Sequence, residues 1–96
     1  MKRGVGRRSS PRIPLEIPVR LGERIGSSRN ISRTGIFFTT GHLVEEGENI
    51  HFILEFDHIL PDKPMHIECQ GQVVRIEKKE GILGVAARIV NFQFFN

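Results

Sequence analysis

The chain has a single cysteine among 96 residues. Cys69 on its own forms no internal disulfide and no multi-cysteine metal site, and it reads as a small buried hydrophobe. No apolar run approaches the ~20 residues that a membrane-spanning helix needs. The basic start, Met1 to Arg8, leads into no apolar segment of the kind a secretory signal carries. The expected setting is therefore the reducing cytoplasm, with no membrane insertion. No stretch longer than about ten residues repeats its apolar positions with a helical period. Catalytic signatures are absent too: there is no Gly-x-Ser-x-Gly elbow, no Walker loop and no carboxylate pair in a cleft-like context. His42, His51, His58 and His66 lack metal-ligand spacing and read as solvent-exposed. The expectation is a non-enzyme with no catalytic residues, no metal and no cofactor.

What is present suits one globular domain with a modest core. The hydrophobic share is 39% and the charged share 26%, too apolar for a disordered chain. Charge is unevenly placed. Residues 1–33 carry nine Lys/Arg and two acids, and the remainder carries five and nine. Eight of the ten arginines lie in that first third. The asymmetry points to an anionic partner held by the N-terminal third. The guanidinium fork bonds phosphate or a guanine edge with two parallel bonds, and it stacks on aromatic rings.

The dominant apolar period is two. Ile13, Leu15, Ile17, Val19 and Leu21 alternate with Pro14, Glu16, Pro18 and Arg20, predicting one half-buried strand with its prolines outward and part of it at an edge. Further strands are predicted over Gly35–Thr40, Ile50–Phe56, Met65–Lys78 and Leu83–Ile89. Gly71 marks a bend or bulge, after which the apolar phase shifts at Val74 and Ile76. Lys79-Glu80-Gly81 reads as a hairpin turn, and Pro61 to Pro64 as another. The last six residues hold three phenylalanines, expected either to cover one barrel end or to meet another subunit. Five to seven short strands argue an all-β fold, and a barrel removes edges that so small a sheet would expose.

Two short motifs flank the first strand. Arg8-Ser9-Ser10-Pro11-Arg12 has R-x-x-x-R spacing and is preceded by Arg7. Asn30-Ile31-Ser32-Arg33-Thr34-Gly35 has N-x-S-x-x-G spacing. In this order, around Ile-Pro-Leu-x-Ile-Pro-Val and before Gly-Ile-Phe-Phe, they resemble the PilZ domain family. Gly71 to Ile76 and Gly84 to Arg88 look like that family's closing strands. The resemblance implies a small six-stranded antiparallel β-barrel that binds the bacterial second messenger cyclic di-GMP. A flexible basic N-terminal arm and little or no C-terminal helix are expected with it, the arm spanning residues 1–12 and the barrel 13–96. It also implies site residues Arg7, Arg8, Arg12, Asn30, Ser32, Arg33 and Gly35, and an unidentified protein partner that reads the bound state. The chain is expected to be a monomer or a weak homodimer.

The residues suit such a ligand on chemical grounds. Arg8 and Arg12 can clamp a compact anion from two sides, and Pro11 lowers the cost of ordering the segment between them. Asn30 offers a donor and an acceptor, and Ser32 a hydroxyl, to a guanine edge. Gly35 permits positive φ and close approach. The bland reading of Asn30 to Gly35 is a polar turn between strands. In proteins the chain resembles, an arginine just before R-x-x-x-R favours two stacked ligands, so Arg7 gives the expectation of two cyclic di-GMP molecules per chain. Two other functions stay open. One is a nucleic-acid-binding small barrel, which would need Phe37 or Phe38 to face outward. The other is a protein-interaction barrel of the same fold with no ligand.

Overall fold

Residues 11–56, 62 and 65–95 are described by the computed structural model. Arg7, Arg8 and His58 lie outside these residues, as does most of the expected turn at Pro61 to Pro64. Seven strands follow in chain order: β1 (Ile13–Pro14), β2 (Pro18–Leu21), β3 (Arg24–Ile31), β4 (Gly35–Thr40), β5 (Asn49–Glu55), β6 (His66–Lys79) and β7 (Ile82–Phe95). All pairings are antiparallel. Six strands close on themselves in the order β2, β3, β4, β7, β6, β5 and back to β2, while β1 lies outside along the end of β3. The fold is the expected all-β six-stranded barrel with one added outer strand.

Two-residue periodicity explains why these segments close around one core. Ile17, Val19 and Leu21 turn inward beside Ile36 and Phe38 of β4, Phe52 and Leu54 of β5, Val73 of β6 and Val85 of β7. Phe38 and Phe52 meet at the centre with ring centroids 5.5 Å apart. Two-residue hairpins tie neighbours together. Glu80 and Gly81 both take positive φ (51° and 83°), as a primed turn between β6 and β7 requires. Gly22 (φ 63°) plays the same part between β2 and β3.

Several expectations need correction. The predicted single strand over 13–21 is broken: β1 and β2 are separated at Leu15–Ile17, and Ile13 is exposed rather than inward. The cause is a buried serine. The Ser28 hydroxyl accepts from the Ile17 N–H (3.0 Å) and donates to the Leu15 carbonyl, so a side chain replaces the strand ladder at the kink. The second difference is β3 itself, which carries little apolar periodicity and was not predicted as a strand. Its inward position is Ser28, and Gly26 lies hard against β4. The phenylalanine-rich tail continues β7 to Phe95, paired with β6 from His66 to Gln70, and Phe92 and Phe94 line a cavity, in keeping with the expected cover over one barrel end. Finally, His42 and His66 are half-buried, whereas His51 is exposed.

The bulge expected near Gly71 is present, with Val90 of β7 as the unpaired residue. A second bulge inserts Val74, which is where the apolar phase shifts. Cys69 is buried on β6, and burial pushes its thiol up from 9.0 to about 11. The unfolded chain would lose this proton first. The stabilising contribution of the neutral buried thiol is therefore whole below pH 9 and lost as pH rises toward about 11. Native protein should resist alkylation at neutral pH and label fully in urea. Rapid labelling of the native state would contradict this account of Cys69.

Candidate functional site

Three pairings assemble the site from residues distant in sequence. β1 lies on the end of β3, with Ile13 opposite Ile31 and Pro14 opposite Asn30. β3 turns into β4 through Ser32, Arg33 and Thr34, bringing Ile31 opposite Ile36. β4 lies on β7, with Gly35 opposite Arg88. The Ser28 bonds to Leu15 and Ile17 fix the angle at which Arg12 and its neighbours leave the barrel. A further bond from the Leu15 N–H to the Arg29 carbonyl (3.3 Å) holds the same crossing.

Arg29 is an extra residue on β3 opposite the Phe38–Phe37 step. Beyond this bulge Asn30 is half-buried, and its side-chain carbonyl oxygen is sealed from water with no hydrogen-bond partner among the described residues. Such an acceptor costs about 1–3 kcal/mol to leave unmet, and it marks a place where a donor is wanted.

Ser32 organises the following turn. Its hydroxyl accepts from the N–H groups of Thr34 (3.2 Å) and Gly35 (3.1 Å). Its N–H donates to the Gly35 carbonyl at 2.8 Å. The hydroxyl is thus engaged within its own loop, the polar-turn arrangement that the sequence also allowed. The loop docks on β7 through the Ile89 N–H, which donates to the Thr34 carbonyl (2.9 Å). Arg33 is exposed at its tip.

Gly35 corrects one expectation. Its φ is not positive; among described glycines Gly22, Gly47 and Gly81 hold that conformation. What it supplies is space. Ile36 faces the core, so Gly35 faces outward, and a Cβ there would stand 3.3 Å from the Ala87 carbonyl oxygen and 4.0 Å from Arg12 Nη1. The Arg12 guanidinium therefore reaches the outer side of Gly35. Arg88, exposed on β7, sits directly across from that glycine and donates to Gln72 Oε1 at 2.5 Å. The sequence reading had placed Arg88 in a closing strand without assigning it to the site. The signal that could have found it is its outward phase next to the inward Ala87.

The surface around Gly35 is cationic. Arg12, Arg33 and Arg88 take part in none of the ion pairs found among the described residues, which join Arg20 to Glu55, His66 to Glu68 and Arg75 to Glu77. Guanidinium groups without an acidic partner among the described residues, together with the outward side of Gly35, suit an anion that also carries a planar hydrogen-bonding ring. A cavity of about 350 Å³ opens next to these residues at one barrel mouth, with Ile13, Leu15, Ile31, Cys69, Phe92 and Phe94 in its wall and Ser32 and Arg33 also lining it. Apart from those two residues its wall is apolar. Among the described residues no three His, Cys, Asp or Glu side chains converge to hold a metal. No helix among them is long and apolar enough to cross a membrane. Phe38 is buried and Phe37 half-buried, leaving this face without the open aromatic platform that single-strand binding uses.

A family model described as the PilZ domain matches residues 6–95. No curated protein sequence matches the chain. Among solved structures, the Bacillus subtilis inhibitor of motility MotI/DgrA is similar, with a TM-score of 0.74 and 21% identity. The match covers 91% of this chain and 44% of that one, so this chain spans less than half the length of that neighbour.

Proposed function

The chain belongs to the PilZ domain family, and on that premise we propose that it is a cytoplasmic receptor for cyclic di-GMP that passes the bound state to a protein partner. One observation carries the reading: the Arg12 fork reaches the outer side of Gly35, which lies opposite the exposed Arg88. In this reading Arg12 and Arg8 grip phosphate and purine from the arm, residues 1–12. Asn30 takes a donor from a guanine edge. Ser32 holds the turn that brings Arg33 and Gly35 to the ligand. Arg88 and Gln72 form the far wall. Binding orders the arm against the barrel and so changes the surface that a partner meets. The structural neighbour's name, inhibitor of motility, supports an adaptor role over an enzymatic one.

Calorimetric titration of the purified chain tests this. Cyclic di-GMP should give saturable heat, while GTP and the linear dinucleotide should bind far more weakly. No heat at high micromolar ligand would overturn the reading. A single-stranded oligonucleotide that bound instead, with affinity falling steeply in salt, would favour a nucleic-acid barrel. The same titration reads stoichiometry. Two stacked ligands carry twice the phosphate charge and four planar bases, and Arg7 would add a third fork from the arm. Two ligands per chain are expected, falling toward one in Arg7→Leu. One ligand in both proteins would return Arg7 to the solvated arm.

A further inference from the structure

β7 is 14 residues long, but β4 covers only part of it. The β4 ladder runs from Leu83 to Arg88 of β7, and the last bond on that side is from the Ile89 N–H to Thr34. From Asn91 to Phe95 the strand is paired on its β6 side, and from Val90 onward no strand meets its other side among the described residues. Among those residues, six residues of β-edge are thus open.

Soluble proteins blunt such edges with charge, proline, bulges or covering segments. Val90-Asn91-Phe92-Gln93-Phe94-Phe95 contains no charged residue, no proline and no glycine. The strand across the barrel mouth is the opposite case: β1 has Pro14 within it and is flanked by Pro11, Arg12 and Pro18. Of the two edges beside the mouth, one carries prolines and a cation, while the other has only the bulge at Val90, at its start. Phe92 and Phe94 lie opposite Cys69 and Ile67, so they face the mouth, yet they are 49% and 58% exposed. Their rings form an edge-on pair 5.8 Å apart above the apolar cavity.

We propose that the Val90–Phe95 edge of β7 pairs antiparallel with the same edge of a second copy, making a twofold dimer with a continuous sheet across it. The strand's own sequence is the argument for a second copy as occupant. A twofold axis through Gln93 sets Phe92 against Phe94 of the second copy, and Phe94 against Phe92, on the mouth side. It sets the two Gln93 amides against each other on the outer side, where each supplies the donor and acceptor the other needs. No like charges meet along the seam, although each chain is net positive. The pairing also covers two exposed phenylalanines per chain and narrows both apolar mouths.

The test is the solution mass of the full chain without nucleotide, by sedimentation equilibrium across a concentration series into the high micromolar range. The expected result is a concentration-dependent rise from 10.9 kDa toward twice that mass. Gln93→Lys puts two like charges on the axis, and it should hold the chain at the monomer mass with an unchanged circular dichroism spectrum. Phe94→Ser should do the same through loss of the aromatic pairs. A wild-type chain that stays monomeric throughout, or a Gln93→Lys chain that still dimerises, would overturn the proposal. None of these outcomes depends on cyclic di-GMP binding.

Discussion

Gly26→Ala is expected to unfold the domain. A Cβ at this position would stand 1.8 Å from the Thr39 carbonyl oxygen and 2.9 Å from the Thr39 carbonyl carbon. Both atoms are backbone, so no side chain can swing aside. The only relief is for β3 to leave β4, and the β3–β4 ladder is the one that closes the barrel. Gly26 does not take positive φ, so the demand is for space alone. A loss above about 4 kcal/mol is expected, in the exceptional class of single substitutions. That is most of the stability of a domain at the low end of the ~5–15 kcal/mol range. Gly47→Ala is the control. It has open space around it and costs only its left-handed conformation (φ 88°), about 1–2 kcal/mol. Thermal melts followed by circular dichroism compare the two. A Gly26→Ala domain that melts near the wild-type temperature would mean that the β3–β4 seam shifts freely, and this account of closure would be wrong.

The same glycine shows why part of the fold was hidden in the sequence. Strands whose inward residues are large and apolar announced themselves: Val19 and Leu21, Ile36 and Phe38, Phe52 and Leu54 all alternate as a half-buried strand must. β3 did not, because the barrel is so tight there that its inward places go to Gly26 and Ser28. A polar run that packs by being small looks like a loop. The break between β1 and β2 was hidden for a related reason. Apolar alternation continues through Leu15, but the Ser28 hydroxyl takes over the backbone bonds and bends the chain. The bulges were partly legible: Gly71 and the phase change at Val74 both left marks, while the displaced residue on the partner strand, Val90, left none.

The site was legible as two motifs but not as one place. Nothing in the spacing of Arg12 and Asn30 says that β1 pairs with the end of β3, Pro14 opposite Asn30, and so brings the two motifs to one side of the barrel. The outer wall of Arg88 and Gln72 comes from strands more than thirty residues further on, and only register brings it opposite Gly35. Ser32 had two readings, a ligand hydroxyl or a turn organiser, and its bonds to Thr34 and Gly35 are those of the turn. It can therefore matter to binding by holding Gly35 and Arg33 in place.

Arg12→Ala should remove most cyclic di-GMP binding while leaving the barrel intact. The side chain is exposed, reaches over Gly35 and has no acidic partner among the described residues, so its loss opens no cavity and strands no buried charge. A charge-assisted bond contributes about 1.5–3 kcal/mol, and at about 1.4 kcal/mol per tenfold affinity should fall roughly 10- to 150-fold. Arg12→Lys separates charge from shape: if the guanidinium fork bonds two acceptors at once, lysine should recover little of the loss. Arg20→Ala is the control, because that arginine is already held by Glu55 at 2.6 Å. Asn30→Ala adds a sharper discrimination. Its buried carbonyl oxygen is unmet in the free protein, so its removal should cost no stability, or raise it, while binding weakens. A residue kept only for the fold would behave the opposite way. Titration and thermal melts on the four variants read both quantities. Arg12→Ala binding as tightly as wild type, or Asn30→Ala losing stability and keeping affinity, would take these residues out of the ligand site.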